Sequence, residues 1–581
     1  MPGDSAAAPR RIPGRVADLA ALGGLTVAWW SAVALADPRG DFPLNDDWGY
    51  APAVRALVED GALRFTEWQS MPLVTHVLWG ALFAKVAGTS HEALRASTLV
   101  MGWLGVLAVY GLLRQVRAPA RVASVSAALV LANPIYFALA HTFMTDVPFV
   151  AALTAATAAW IRAEDTGRAR WLVAAVGLCL WAVLNRQLGI ALPLTWTVVS
   201  ALRHGIGRRW LLTALGPAVL VIGGLFLYER VIEATLGLPL LYHRKGEELM
   251  EALTDLTRLR GLRFPLVRST WAPLYLGLFC GPLIALLWPS LEQHFLVRFF
   301  PVLGGASAAL AAGLDAGLPL TGNVWIDLGI GPRSAPGVVA GTSDKLWIIL
   351  TTAAGVGAGF LFVALHAGAW RAGVLGAAGS WRGWPRRVFA GLRSRATPDE
   401  PGGAVPAWAW LLVLGTALVA FAPTSLVYGA WFDRYLLTQL PFVPVSLWAA
   451  ADRREGAEPI STAIGAAALA LFAAFSVAGT HDYLAWQRAR WEGVARLEAR
   501  GVPREDIRGG FEVDNHPPPP EGTTLASRPK APWAVAIAPL HGHRVVERIP
   551  VDAWLPNAVD EILLLRRSPK PSTSGESEIR R

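Results

Sequence analysis

A chain of 581 residues that is 54% hydrophobic and only 16% charged, with a positive mean hydropathy, is too apolar for a soluble protein of that size. Its net charge of +9 lies in short basic clusters between apolar runs, as the positive-inside rule requires, which sets nucleic acid aside as a partner. The alternating pattern of an outer-membrane barrel is absent, so the spans are expected to be helices, which satisfy their backbone within lipid.

In chain order, residues 1–16 with Arg10, Arg11 and Arg15 form an expected cytoplasmic N-terminus, and a transmembrane domain is expected over 17–479. About 13 helices are predicted, near 17–37, 95–113, 122–140, 147–162, 171–185, 188–202, 210–232, 271–290, 294–313, 345–366, 407–427, 436–451 and 459–479. Stretches such as "VADLAALGGLTVAWWSAVALA" (17–37) supply the roughly 20 apolar residues that cross the hydrocarbon core. That first stretch is long and no small-residue cleavage site follows it, so it reads as a span and not as a signal peptide. The basic clusters at 114–121, 162–170, 203–209 and 452–454, and six arginines from Arg371 to Arg395, mark the cytoplasmic loops. An odd number of spans then puts the C-terminus outside. Cys179 and Cys280 lie inside apolar runs and offer no disulfide or metal framework.

After the last span, 480–568 is expected to form a small extracytoplasmic α+β domain. "RARWEGVARLEARGVPREDIRGGFE" (488–512) reads as an amphipathic helix and turn, and "HPPPP" (516–520) as a stiff linker. Short apolar runs at 532–539, 543–551 and 561–567 suit strands, and 569–581 reads as disordered. Packing over the membrane loops is the domain's expected role, with acceptor binding as the other.

On this topology the acids collect on the far side of the membrane. Loop 38–94 carries Asp41, Asp46, Asp47, Glu59, Asp60 and Glu67; later loops carry Asp146, Glu233, Glu247, Asp327 and the pair Asp433 and Arg434. Each has an ordinary structural reading. Asn45 or Asp46 would cap a helix running through "WGYAPAVRALVEDGAL", and Asp146 with Pro148 would start another. Asp433 and Arg434 would form a local ion pair, and Arg186 in "NRQLG" would snorkel to an interface. Histidines 76, 91, 141 and 243 lack ligand spacing, and no phosphate-cradling loop or Ser-His-Asp pattern stands out.

Taken together the segments are more specific. "DDWGY" (46–50) resembles the D-[DE]-x-x-Y motif in the first extracytoplasmic loop of the C-type glycosyltransferases (GT-C), notably the family 39 protein O-mannosyltransferases and the lipid A aminoarabinose transferases. "MPLVTHVLWGALFAKVAG" (71–88) resembles the re-entrant or interfacial helix after that motif, and "HTFMTDVPF" (141–149) the second acidic motif. "FDRYLLTQLPFVP" (432–444) and residues 479–512 resemble the later part of a bacterial family 39-like branch. Asp47 departs from the pattern, since Glu is commoner there.

The resemblance implies an all-α polytopic membrane protein of GT-C fold in a bacterial inner membrane. It implies transfer of a sugar from a polyprenyl-phosphate donor to an extracytoplasmic glycan, glycolipid or protein, with membrane lipids as the other partner. Asp46 and Asp47 are the catalytic candidates, of which Asp46 matches the catalytic aspartate by position, and Tyr50, Asp146, Arg186, Asp433 and Arg434 are the candidate donor- and acceptor-binding residues. No cofactor is called for; a divalent cation, which Asp146 would help to hold, stays open and its ligands unassigned. The acceptor hydroxyl is a poor nucleophile until a base takes its proton, which is typically worth about 10²–10⁴-fold. The leaving lipid phosphate needs cationic stabilisation, for which Arg suits phosphate oxygens best. Three other readings remain open: a transporter or flippase, which should show paired repeats and mid-bilayer charges, a diphosphate-linked glycan polymerase or ligase, and a non-catalytic relative.

Overall fold

The computed structural model describes residues 14–292, 294–313, 324, 344–371, 405–427, 431–451, 459–519, 522, 524, 525, 530–556 and 559–568. Asp327, the tail at 569–581, the cluster at 452–454 and the arginines from Arg382 to Arg395 lie outside these residues.

The chain is a polytopic helical membrane protein with a small C-terminal sheet. Among the described residues, seven helices are long and apolar enough to cross a membrane, and two bent pairs raise the number to nine. The expectation of about 13 spans is made for the whole chain; among the described residues, two of the stretches it counts as single spans are bent. Stretch 122–140 divides into α5 (Ala120–Leu131) and α6 (Pro134–Ala140), 62° apart. Pro134 has no N–H to continue the ladder, and the Asn133 side chain caps the new start by accepting from Ile135 and Tyr136. Stretch 271–290 likewise bends by 85° at Cys280, between α12 (Arg263–Phe279) and α13 (Gly281–Leu291), which Gly281 and Pro282 begin. The expected span at 436–451 holds a 3₁₀ turn (Asp433–Thr438) and a helix of only 8 residues, α17 (Val443–Ala450).

The remaining helices that frame the site are α1 (Gly14–Ala36), α2 (Asp47–Glu59), α3 (Val74–Ala87), α4 (His91–Gln115), α7 (Asp146–Thr166), α8 (Ala169–Asn185) and α9 (Ala191–His204). After α10 (Arg208–Thr235) and α11 (Leu240–Thr257), α14 (Phe300–Gly313), α15 (Asp344–Arg371) and α16 (Ala407–Leu426) complete the bundle. At 14 residues α3 is too short to span. Membrane helices gain little from mutual burial and associate by close packing, for which small residues serve. A Cβ on Gly277 would lie 2.3 Å from the Ala358 amide, and one on Gly304 2.3 Å from the Gly355 carbonyl, so glycine brings α12 and α14 against α15.

The last long helix, α18 (Pro459–Ala499), runs 41 residues without a break. At about 1.5 Å per residue it is roughly 60 Å long, twice the hydrocarbon thickness. The expected boundary at 479/480 therefore falls inside one continuous helix. Its far end carries a four-stranded sheet in the order β1-β2-β4-β3, from β1 (Ile507–Arg508), β2 (Trp533–Ala536), β3 (His543–Pro550) and β4 (Glu561–Arg567). β1 and β2 pair in parallel and the other pairs are antiparallel. Gly493 of α18 lets Leu564 and Val535 close on the helix, since a Cβ there would meet Leu564 at 2.8 Å. A short helix between β1 and β2, α19 (Phe511–Asn515), leaves the sheet and reaches the loop that begins α2.

Candidate active site

Asn45 takes the left-handed conformation at φ 52°, an uncommon state that Asn tolerates better than most residues. Asp46 follows at the N-cap position of α2, yet its side chain makes no capping hydrogen bond. Its Oδ1 accepts the Trp68 indole N–H at 3.0 Å, and its Oδ2 faces the Arg434 guanidinium at 3.3 Å. The capping reading of Asp46 is thus corrected: the residue is 6% exposed and turned away from the helix end.

Asp47, one residue on and 1% exposed, has a different environment. Its Oδ1 accepts the Phe143 amide at 2.8 Å and its Oδ2 the Leu44 amide at 3.2 Å. Burial pushes its carboxyl up to about 8, against the pull of these two amides and of Arg95. Asp47 therefore ties the start of α2 to the loop before α7. Gly49 completes the turn: a Cβ there would meet Trp68 Cδ1 at 3.0 Å, and its carbonyl accepts from Thr66 and Gln69.

The second motif arrives from the other side. Asp146 is the first residue of α7, where the helix dipole favours an anion. It pairs with Arg186, the residue that ends α8, in place of the snorkelling read from sequence. The α8 end is itself held by the Leu73 amide, which donates to Asn185 O, and by Thr75, which donates to Trp181 O. The Tyr50 hydroxyl lies among Asp46, Arg434, Arg186 and Asp146; burial and the Asp46 carboxylate hold it well above the usual phenol range. Asp146 Oδ2 and Arg434 Nε are buried without a hydrogen-bond partner among the described residues.

Five of the seven expected site residues, Asp46, Tyr50, Asp146, Arg186 and Arg434, thus share one charged cluster, with Asp47 bracing it. Asp433 is engaged elsewhere: it is fully buried and accepts the Val324 amide at 3.3 Å. The expected Asp433–Arg434 pair is replaced by Arg434–Asp46, because neighbours at the start of a 3₁₀ turn project in different directions. Trp68 was not anticipated; a lone indole 22 residues from its partner carries no local pattern. Among the described residues no group of three or more His, Cys, Asp and Glu is placed to hold a metal ion.

An apolar cavity of ≈ 550 Å³ opens between α12, α14, α15, α16 and α17, lined by Leu276, Phe300, Leu303, Phe421 and Phe442. Gln439, on its wall, directly follows the turn that carries Arg434.

Residues 71–229 match the family model described as dolichyl-phosphate-mannose-protein mannosyltransferase. This stretch includes "MPLVTHVLWGALFAKVAG", "HTFMTDVPF" and Arg186, while "DDWGY" and Arg434 lie outside it. Among solved structures, the chain is similar to ArnT from Cupriavidus metallidurans bound to undecaprenyl phosphate, at 15% identity over 94% of this chain and 97% of that one, with a TM-score of 0.42. It is also similar to the oligosaccharyltransferase AglB from Archaeoglobus fulgidus in complex with an inhibitory peptide and a dolichol-phosphate, at 15% identity over 84% of this chain and 58% of that one, with a TM-score of 0.38. No curated protein matches the chain.

Proposed function

We propose that this chain is a membrane glycosyltransferase that moves a sugar from a polyprenyl-phosphate donor to an extracytoplasmic acceptor, with Asp46 as the general base. The observation that carries the reading is the Asp46 carboxylate, which stands at a helix start without capping it and faces Trp68 and Arg434 instead. The family-model match over 71–229 supports the donor class. Asp46 takes the acceptor hydroxyl proton as its oxygen attacks the anomeric carbon; the bond from that carbon to the phosphate oxygen breaks, and the lipid phosphate leaves with the electron pair. Displacement by one base inverts the anomeric centre. Arg434 and Arg186 stabilise the charge that grows on the phosphate, and a guanidinium suits that task by its two-pronged fit to oxygen pairs. Asp146 keeps Arg186 in place and offers its free oxygen to donor or acceptor. The apolar cavity beside the Arg434 turn takes the first isoprene units of the tail.

The test is the envelope glycan and glycolipid profile of a deletion strain. A sugar should be missing, restored by the wild-type gene, and restored at least about 10²-fold more slowly by Asp46→Asn, which keeps the size of the side chain and cannot accept the proton. Normal restoration by Asp46→Asn would remove the base. An unchanged profile after deletion would remove the transferase reading.

A further inference from the structure

We infer that Glu512, on the C-terminal sheet domain, is a positioning residue for Asp46, holding the preceding residue in the backbone state that aims the base; this rests on the role of Asp46 proposed above. Glu512 is 1% exposed and lies 467 residues from Asn45 in the chain. Its Oε1 accepts the Asn45 backbone N–H at 3.2 Å, while its Oε2 accepts from Arg490 of α18 at 2.8 Å. Arg490 is fully buried, stacks over Trp486 and also donates to Gln487 and the Gly509 carbonyl. Tyr483, a further residue of α18, takes the Asn45 side-chain amide at 3.4 Å.

Asn45 is thus gripped at its backbone and its side chain while it occupies φ 52°. That conformation turns Asp46 out of the capping direction, since an Asp at the N-cap would otherwise accept an amide of the first turn. The neighbour of Glu512 works on the other side of the same carboxylate: Phe511 packs against Trp48 and Trp68, with ring centroids at 5.9 and 5.8 Å, and Trp68 donates to Asp46. A helix of five residues thus fixes the base from both flanks. Among the described residues the five members of the charged cluster, Asp46, Tyr50, Asp146, Arg186 and Arg434, come from other elements, so the part of α18 and the sheet in the reaction is to aim it.

The experiment compares Asn45→Gly, Asn45→Val and Glu512→Ala in the full-length protein. Gly enters the left-handed state without cost, Val is excluded from it, and Glu512→Ala frees the Asn45 amide. Sugar incorporation by membranes of the complemented deletion strain, per amount of folded protein, should fall at least about 10-fold in Asn45→Val and Glu512→Ala and less than about 3-fold in Asn45→Gly. The loss should fall on kcat, with the KM for the donor within about 3-fold of wild type, because the arginines that meet the phosphate stay in place. A purely structural role for Glu512 lowers protein amount and leaves kcat per folded protein unchanged, and this result would overturn the inference. A readout free of the transferase reading is hydrogen exchange of the peptide 44–50 in detergent: Glu512→Ala should exchange faster than wild type. Equal exchange would refute the clamp even if sugar transfer were lost. Faster exchange in a protein that transfers no sugar would uphold the clamp and refute the reading on which its purpose rests.

Discussion

The Asp47 carboxylate accepts two backbone amides, from Leu44 and Phe143, whereas Asp46 beside it accepts an indole and faces a guanidinium. Adjacent acids in one motif therefore serve different ends, one joining two loops and one addressing the cluster. The prediction at this scale separates them. Asp47→Asn keeps one acceptor and turns an NH₂ toward the other amide, leaving a buried donor unsatisfied at a cost of about 1–3 kcal/mol. The purified variant should melt earlier than wild type while its transfer rate per folded molecule stays within several-fold. A loss of turnover as deep as that of Asp46→Asn would mean that Asp47 shares the chemistry. Composition and motif resemblance pointed to both aspartates, but the partners that distinguish them, Trp68, Phe143 and Arg434, are brought in by three different stretches of chain.

At the level of elements, the site depends on helix ends. α2 and α7 begin at it, α8 ends at it, and α19 pins it from outside. Just beyond α19, His516 packs its ring edge-on to His91 of α4 at 5.7 Å and to Trp491 of α18 at 5.6 Å, and burial, with His91 and Arg504 nearby, pushes it down to about 4. The free imidazole titrates near 6.5, so between about 6.5 and 4 the detached state binds a proton that the packed state does not. Stability is accordingly complete above the free value and is lost as the pH falls through this window. The thermal midpoint of the purified protein should drop between pH 7 and pH 5, and His516→Gln should drop by less; an identical drop would place the acid sensitivity elsewhere. Helix starts and stops were partly legible, since Asn133–Pro134 and Gly281–Pro282 are strong punctuation. Inside an apolar run the composition marks a span but not its bend, so the 62° and 85° angles come from the packing around these breaks.

For the molecule as a whole, the arginine asymmetry and the burial pattern together allow a direct test of orientation. Cys179 and Cys280 are buried, so a cysteine introduced at an exposed site reports alone among the described residues. Asp60→Cys, at the exposed end of α2, should react with a membrane-impermeant maleimide on intact spheroplasts, and Arg168→Cys, in the basic turn between α7 and α8, only after permeabilisation. The reverse pattern would put the charged cluster on the cytoplasmic side. The sequence by itself determined that the chain lives in a membrane, where its apolar stretches and C-terminal strands lie, and which acids and arginines are candidates for the site, because these follow from composition, periodicity and motif, all local properties. Only the tertiary structure decided which charges meet. Asp46 to Arg434, Asp146 to Arg186 and Asn45 to Glu512 pair across 388, 40 and 467 positions, and such contacts arise from the packing of bent helices and a long α18, which no local pattern encodes.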